Sequence, residues 1–189
     1  MNAMELIRQH RSVRAFDGKA LKAEDREKLL SFDLEDGEVM PCVSPLGYPA
    51  AKPSIRESLM RKGIKADSRM DFDALFFDGG FDRALTQQEA GEFAPPLEMV
   101  RWAPSAVNKQ PWRVVLSGKA AHFYEKRSRG YVDGAGWDLQ KIDLGIALCH
   151  FACGLEAQGR SWHLAVADPG FAVPDATAYV ATIETDRFV

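Results

Sequence analysis

The feature that most constrains this chain is a proline-bounded switch from helix to strand between Pro95 and Leu116. Pro95 and Pro96 open a short apolar-periodic run with Leu97, Val100 and Ala103 on one face. Proline suits the first helical turn, where its missing N–H would have no partner anyway. Pro104 then stops the helix, because its ring clashes with the preceding turn. The amide-rich loop that follows carries Ser105, Asn108 and Gln110 and is closed by Pro111. After it the chain enters the β-type run Trp112-Arg113-Val114-Val115-Leu116. A stiff loop bearing two carboxamides, each both donor and acceptor, is suited to reading the edge of a flat heterocycle. The same two carboxamides would serve equally to satisfy the backbone of a proline-bounded turn. On the residues alone both readings stand.

Bulk properties narrow the class of protein. The 189 residues are 46% hydrophobic and 27% charged, which fits one compact soluble domain with a core of its own. A net charge of −3 offers no electrostatic footprint for nucleic acid or an anionic membrane. The three cysteines Cys42, Cys149 and Cys153 cannot form a closed set of disulfides, and their spacing matches no metal site. Reduced thiols in a cytoplasmic compartment are therefore expected. Glu5 and Arg8 interrupt the N-terminal apolar residues, unlike a signal peptide, and no run is long and apolar enough to span a bilayer. No Walker loop, G-x-G-x-x-G fingerprint or G-x-S-x-G elbow is present, so no catalytic nucleophile and no Rossmann site is assigned.

Taken in order, Met4 to His10 reads as a short helix, followed by the basic extended segment Arg11-Ser12-Val13-Arg14-Ala15-Phe16. Leu21 to Phe32 reads as an amphipathic helix, and Val39 to Val43 as strand-like. Most of the cations from Lys52 to Arg69 read as a solvated, poorly ordered arm. Asp71 to Phe93, with Phe72, Phe76, Phe77 and Phe81, reads as an irregular excursion over a neighbour such as a second subunit. Ala121 to Lys126 is a second β segment, and Asp143 is expected to cap a nearly all-apolar helix from Leu144 to Gln158. Cys149, His150 and Cys153 in that helix do not make a metal cluster, since successive helix positions diverge by roughly 100°. Trp162 to Val166 and Ala178 to Glu184 read as closing strands.

Three separated segments carry a resemblance. Ala103-Pro104-Ser105-Ala106-Val107-Asn108-Lys109-Gln110-Pro111-Trp112 resembles the A-P-S-x-x-N-x-Q-P-W motif of the nitroreductase family of FMN-dependent oxidoreductases. His10-Arg11-Ser12-Val13-Arg14-Ala15-Phe16 is similar to its N-terminal R-R-S-x-R-x-F, with His10 in place of the first arginine. Pro45-Leu46-Gly47-Tyr48-Pro49-Ala50 is similar to its P-x-G-Y-P-A, in the branch where that segment precedes the A-P-S segment.

The resemblance implies an α+β nitroreductase-like sandwich, a mainly antiparallel sheet covered by helices. The chain, residues 1–189, is then a single nitroreductase-like domain, shortened between Phe32 and Asp33 relative to family members that carry a long stretch there. It implies FMN as cofactor, with Arg11, Ser12 and Arg14 on the phosphate and ribityl chain, Asn108 on the pyrimidine edge, and Gln110 on the flavin or shaping the loop. A cation beyond the G-Y-P segment would assist at the phosphate. The implied reaction is ping-pong, from NAD(P)H as electron donor to a nitroaromatic, quinone or similar small-molecule acceptor, in a homodimer. Two alternatives accompany it: a flavin-binding protein with little turnover, and a shortened remnant that no longer binds FMN.

Overall fold

The computed structural model describes residues 3–9, 16–30, 47–52, 54–131 and 138–185. The described residues form, in order, helices α1 (Ala3–Gln9), α2 (Ala23–Leu30), α3 (Ile55–Gly63) and α4 (Phe72–Leu75), then strand β1 (Phe76–Asp78). Helix α5 (Ala94–Trp102), strands β2 (Trp112–Ser117) and β3 (Ala120–Lys126), helix α6 (Leu139–Ala157), and strands β4 (Trp162–Ala165) and β5 (Thr177–Thr185) complete them. The chain separates into two compact units, one made of Met1–His10 with Ile64–Val189 and the other of Arg11–Gly63.

The larger unit holds a five-stranded sheet in the order β1-β2-β3-β5-β4. Only the β1–β2 pair is parallel, with Phe76 opposite Val114, and the β2–β3, β3–β5 and β4–β5 pairs are antiparallel. The expected α+β class with a mainly antiparallel sheet is thus the architecture observed. Alternation along β2 and β3 sends Trp112, Val114, Leu116, Ala121 and Phe123 to one face, where they meet Leu97 and Val100 of α5 and Leu144, Phe151 and Leu155 of α6 in one core. The opposite face carries Val115, His122, Tyr124 and Thr182, all buried, with Phe81 packed edge-on to Tyr124 and Phe171 edge-on to His122.

Three expectations need correction. The Asp71–Phe93 stretch is not an irregular excursion: it contains α4 and β1, and β1 gains backbone partners by joining the sheet edge. Its phenylalanines are used inside the chain, Phe72 against Phe76, and Phe77 against Phe81, which reaches Tyr124. The basic stretch is not a loose arm throughout, since Ile55–Gly63 is helical, with the Ser54 hydroxyl accepting the Glu57 N–H at 3.1 Å. Finally, Asp143 does not cap α6. The helix starts five residues earlier at Leu139, and Asp138 caps it by accepting the Gln140 N–H at 3.0 Å. The segment Val39–Val43 and the Phe32–Asp33 junction lie outside the described residues.

In the smaller unit the two N-terminal motifs meet. Phe16 bridges Pro49, the Asp17 N–H donates to the Tyr48 carbonyl at 3.0 Å, and the Tyr48 hydroxyl donates to Asp25 at 2.7 Å. Gly47 is required here, because a Cβ at that position would lie 2.7 Å from the Phe16 ring.

Candidate functional site

The loop between α5 and β2 is built as the prolines demand and then pulled tight. The Ala103 N–H still reaches the Val100 carbonyl at 3.0 Å, while its own backbone is extended, as the residue before proline must be. Ser105 organises the next turn: its carbonyl accepts the Asn108 N–H at 3.0 Å and its hydroxyl accepts the Gln110 N–H at 2.9 Å. Three non-glycine residues sit in the left-handed region, Val107 at φ 52°, Asn108 at φ 55° and Gln110 at φ 49°. Asparagine tolerates this conformation, whereas a β-branched valine is strained in it. The loop is therefore held by its surroundings and not by local preference.

Asp143 is one such holder. It lies 4% exposed inside α6, and its two carboxylate oxygens accept the Ala106 N–H at 3.0 and 3.1 Å. Burial pushes its pKa up to about 6, against the opposing effect of that hydrogen bond.

The two carboxamides are a second set of ties. Both hydrogens of Asn108 Nδ2 are spent, on the Lys65 carbonyl at 2.7 Å and the Ser68 carbonyl at 3.1 Å, and Oδ1 accepts from Arg69 Nη1 at 3.3 Å. Those neighbours fix which end of the amide is nitrogen, since only N–H can face two carbonyls. Gln110, 4% exposed, accepts the Met70 N–H through Oε1 at 2.9 Å, and its backbone carbonyl accepts from Arg113 Nη1 at 3.1 Å. Both side chains hold the loop against residues 65–70, and so do more than satisfy the backbone of their own turn.

Around these ties sits a group of cations that sequence reading did not single out. Arg69 packs on the Trp102 ring at 5.2 Å and Arg101 on the same ring at 5.5 Å. Arg101 forms a forked pair with Glu98, 2.7 Å at each contact, and Trp102 Nε1 donates to Glu98 at 2.8 Å. Burial works against ionisation of Glu98, but the hydrogen bonds from Arg101 and Trp102 outweigh it and hold the carboxyl below the usual range. Arg69 has no such partner: among the described residues no carboxylate lies within ion-pair distance of it, and its Nε is buried without a hydrogen bond. Burial and the Arg101 charge lower its pKa, and burial alone lowers that of Arg113.

Of the expected site residues, the structure thus brings Asn108 and Gln110 together on one loop. Arg11, Ser12 and Arg14, with His10, lie outside the described residues. Arg69 was hidden in sequence as the last member of a long basic run. Asp143 had a visible signal, a carboxylate entering an apolar helical run behind Asp138, a better-placed cap.

Comparison with known proteins follows the same lines. No curated protein matches the chain. A crystal structure at 2.00 Å of a "putative nitroreductase" from Thermotoga maritima msb8 has a similar fold, with a TM-score of 0.59 at 17% identity, covering 97% of this chain and 94% of that one. A family model described as "Putative TM nitroreductase" matches residues 26–155, from α2 through most of α6. With well over half its length matched, the chain belongs to this nitroreductase family.

Proposed function

We propose that the chain is an FMN-dependent oxidoreductase that takes electrons from NAD(P)H and passes them to nitroaromatic, quinone or similar small acceptors. Family membership supports the oxidoreductase class. The observation that carries the flavin is the unspent hydrogen-bonding capacity beside the loop. Asn108 Oδ1 uses one of its two lone pairs on Arg69, and the Nε of that same guanidinium is a buried donor without a partner. The remaining lone pair of Asn108 Oδ1 complements the N–H of a flavin's pyrimidine edge, and the half-buried Arg69 guanidinium beside it supplies positive charge for the neighbouring carbonyls. Gln110 shapes the loop that presents Asn108, and Arg11, Ser12 and Arg14 would take the phosphate, as the resemblance implies.

When bound, FMN would supply the redox chemistry that links NAD(P)H to the acceptor, in the ping-pong order the resemblance implies. The chain's own residues orient and exclude: Asp143 fixes Ala106, Asn108 and Gln110 fix the loop to residues 65–70, and Trp102 shields the two guanidiniums. Among the described residues no helix is long and apolar enough to cross a membrane, and we place the protein in the cytoplasm as a homodimer. The tucked phenylalanines of residues 72–81 no longer argue for association; exposed Leu6 and Leu139, each 53% exposed, are apolar side chains that a second subunit would cover. We further propose that residues 1–189 act as a single nitroreductase-like domain.

Titration of FMN by fluorescence quenching tests the reading. A charge-assisted hydrogen bond to phosphate contributes on the order of 1.5–3 kcal/mol, so Arg11→Ala should weaken FMN by roughly ten- to a hundredfold. Asn108→Ala should weaken it as well, and His10→Arg should tighten it. NADH or NADPH should bleach the bound flavin without oxygen. Equal affinities for wild type, Arg11→Ala and Asn108→Ala, or no binding at all, would overturn the assignment.

A further inference from the structure

Two thiols on α6 remain outside everything assigned so far. Cys149 is exposed and Cys153 half-buried, four residues apart on one side of the helix. Burial, with the neighbouring Cys149, pushes the Cys153 pKa up. Adjacent Gly145 offers no side-chain cover, with nothing within 4 Å of where its Cβ would stand. His150, between them in sequence, points elsewhere: its Nδ1 meets the Met99 carbonyl at 3.0 Å.

Geometry limits what such a pair can do. Helical residues at i and i+4 have Cβ atoms about 5–6 Å apart. A disulfide needs them at roughly 3.5–4.5 Å, so oxidation would have to distort the helix. A bridging atom inserted between the sulfurs, with bonds of about 2.3 Å, spans the larger gap without distortion. A tetrahedral zinc site asks for further protein ligands. Among the described residues no group of three or more histidine, cysteine, aspartate or glutamate side chains is placed to hold a metal ion. The centre that fits must be satisfied by two sulfurs.

We propose that Cys149 and Cys153 form a dithiol chelation site for a thiophilic centre that takes only two sulfurs from the protein, of the class of monosubstituted trivalent arsenicals. The step is a condensation and not a redox reaction. An arsine oxide R–As=O reacts with two S–H groups, two As–S bonds form, both S–H bonds and the As=O bond are lost, and one water leaves carrying the two protons. Arsenic stays trivalent and both sulfurs keep their oxidation state. Because the thiols enter protonated, the raised pKa of Cys153 is no obstacle.

Phenylarsine oxide added to the reduced full chain, read by intact mass spectrometry, tests the site. A second thiol held nearby acts at an effective concentration in the millimolar range. The wild-type adduct should therefore survive a challenge with about 0.1 mM monothiol, well below that level, and be stripped by a small dithiol. Cys149→Ser and Cys153→Ser should each retain on the order of tenfold less adduct, having lost the intramolecular partner. Cys42→Ser should retain the wild-type amount. Peptide mapping of the wild-type adduct should find arsenic bridging Cys149 and Cys153 in one fragment, a reading that does not depend on any variant folding. Loss of the wild-type adduct to the monothiol, its retention in either serine variant at 149 or 153, or a bridge that includes Cys42 would overturn the proposal.

Discussion

At the scale of single residues, the loop from Ser105 to Gln110 owes its shape to neighbours that oppose its own preferences. Asp143 is the most informative of them. Its folded pKa of about 6 exceeds the ordinary aspartate value near 3.9, so the folded chain binds more protons than the unfolded chain between those two pH values. Stability attributable to Asp143 is then greatest below about pH 4 and is lost as pH rises towards 6, by at most about 3 kcal/mol. Asp143→Asn keeps an acceptor for the Ala106 N–H and removes the titration. Urea midpoints measured from pH 4 to pH 7 should fall in the wild type relative to Asp143→Asn, and parallel curves would contradict the raised pKa. Val107 makes the complementary case. It is 52% exposed and held at φ 52°, so it contributes strain without core packing. Val107→Asn, a residue that accepts the left-handed region, should stabilise the fold by about 1 kcal/mol and raise the melting midpoint. An unchanged or lower midpoint in thermal melts would show that the valine has packing the strain argument omits.

At the scale of elements, much was legible because prolines and apolar runs act locally. Pro95, Pro96 and Pro104 bracket α5, and β2, β3, β4 and β5 begin and end within two residues of the runs read from Trp112, Ala121, Trp162 and Ala178. What failed to show depended on contacts distant in sequence. β1 is only three residues long, and its identity as a strand comes from β2, about 38 residues later. The start of α6 was misplaced because Asp138 and Asp143 are both acceptable caps, and only the tertiary bond to Ala106 distinguishes them. The packing of α6 on α5 could not be read from composition, yet two of its glycines now separate. A Cβ on Gly154 would lie 2.7 Å from Pro96 Cα and 2.9 Å from Pro96 Cβ, while one on Gly145 meets nothing within 4 Å. Alanine in an exposed helix gains about 1 kcal/mol over glycine, and overpacking costs about 1–3 kcal/mol. Gly145→Ala should therefore stabilise by about 1 kcal/mol, and Gly154→Ala should destabilise despite the same helix propensity. Denaturant melts giving the same sign for both would contradict the close approach of α5 and α6.

At the scale of the whole molecule, the two units differ in what holds them. Among the described residues, the larger unit contains every buried apolar side chain of the core, from Leu75 to Ile183. In the smaller one, none of the residues whose burial is described is buried, and α3 in particular has no buried residue. Without buried apolar contacts a helix opens at little free-energy cost, whereas core strands exchange only through global unfolding. Native-state hydrogen exchange should accordingly find the amides of α3 weakly protected and those of β3 and α6 the most protected. Under the proposed function, FMN gives this contrast a second use. Ligand at about a hundred times its dissociation constant stabilises the binding state by about 2.7 kcal/mol. If Arg11, Ser12 and Arg14 take the phosphate, and the unit to which they belong opens as one, α3 amides should exchange roughly a hundredfold more slowly with FMN present. The Arg11→Ala variant at the same FMN concentration should recover most of the fast exchange. Strong protection of α3 without ligand would contradict the burial argument. Weak protection that FMN leaves unchanged, in a chain that nonetheless binds FMN, would remove the phosphate from Arg11, Ser12 and Arg14 while leaving the loop at Asn108 as a flavin contact.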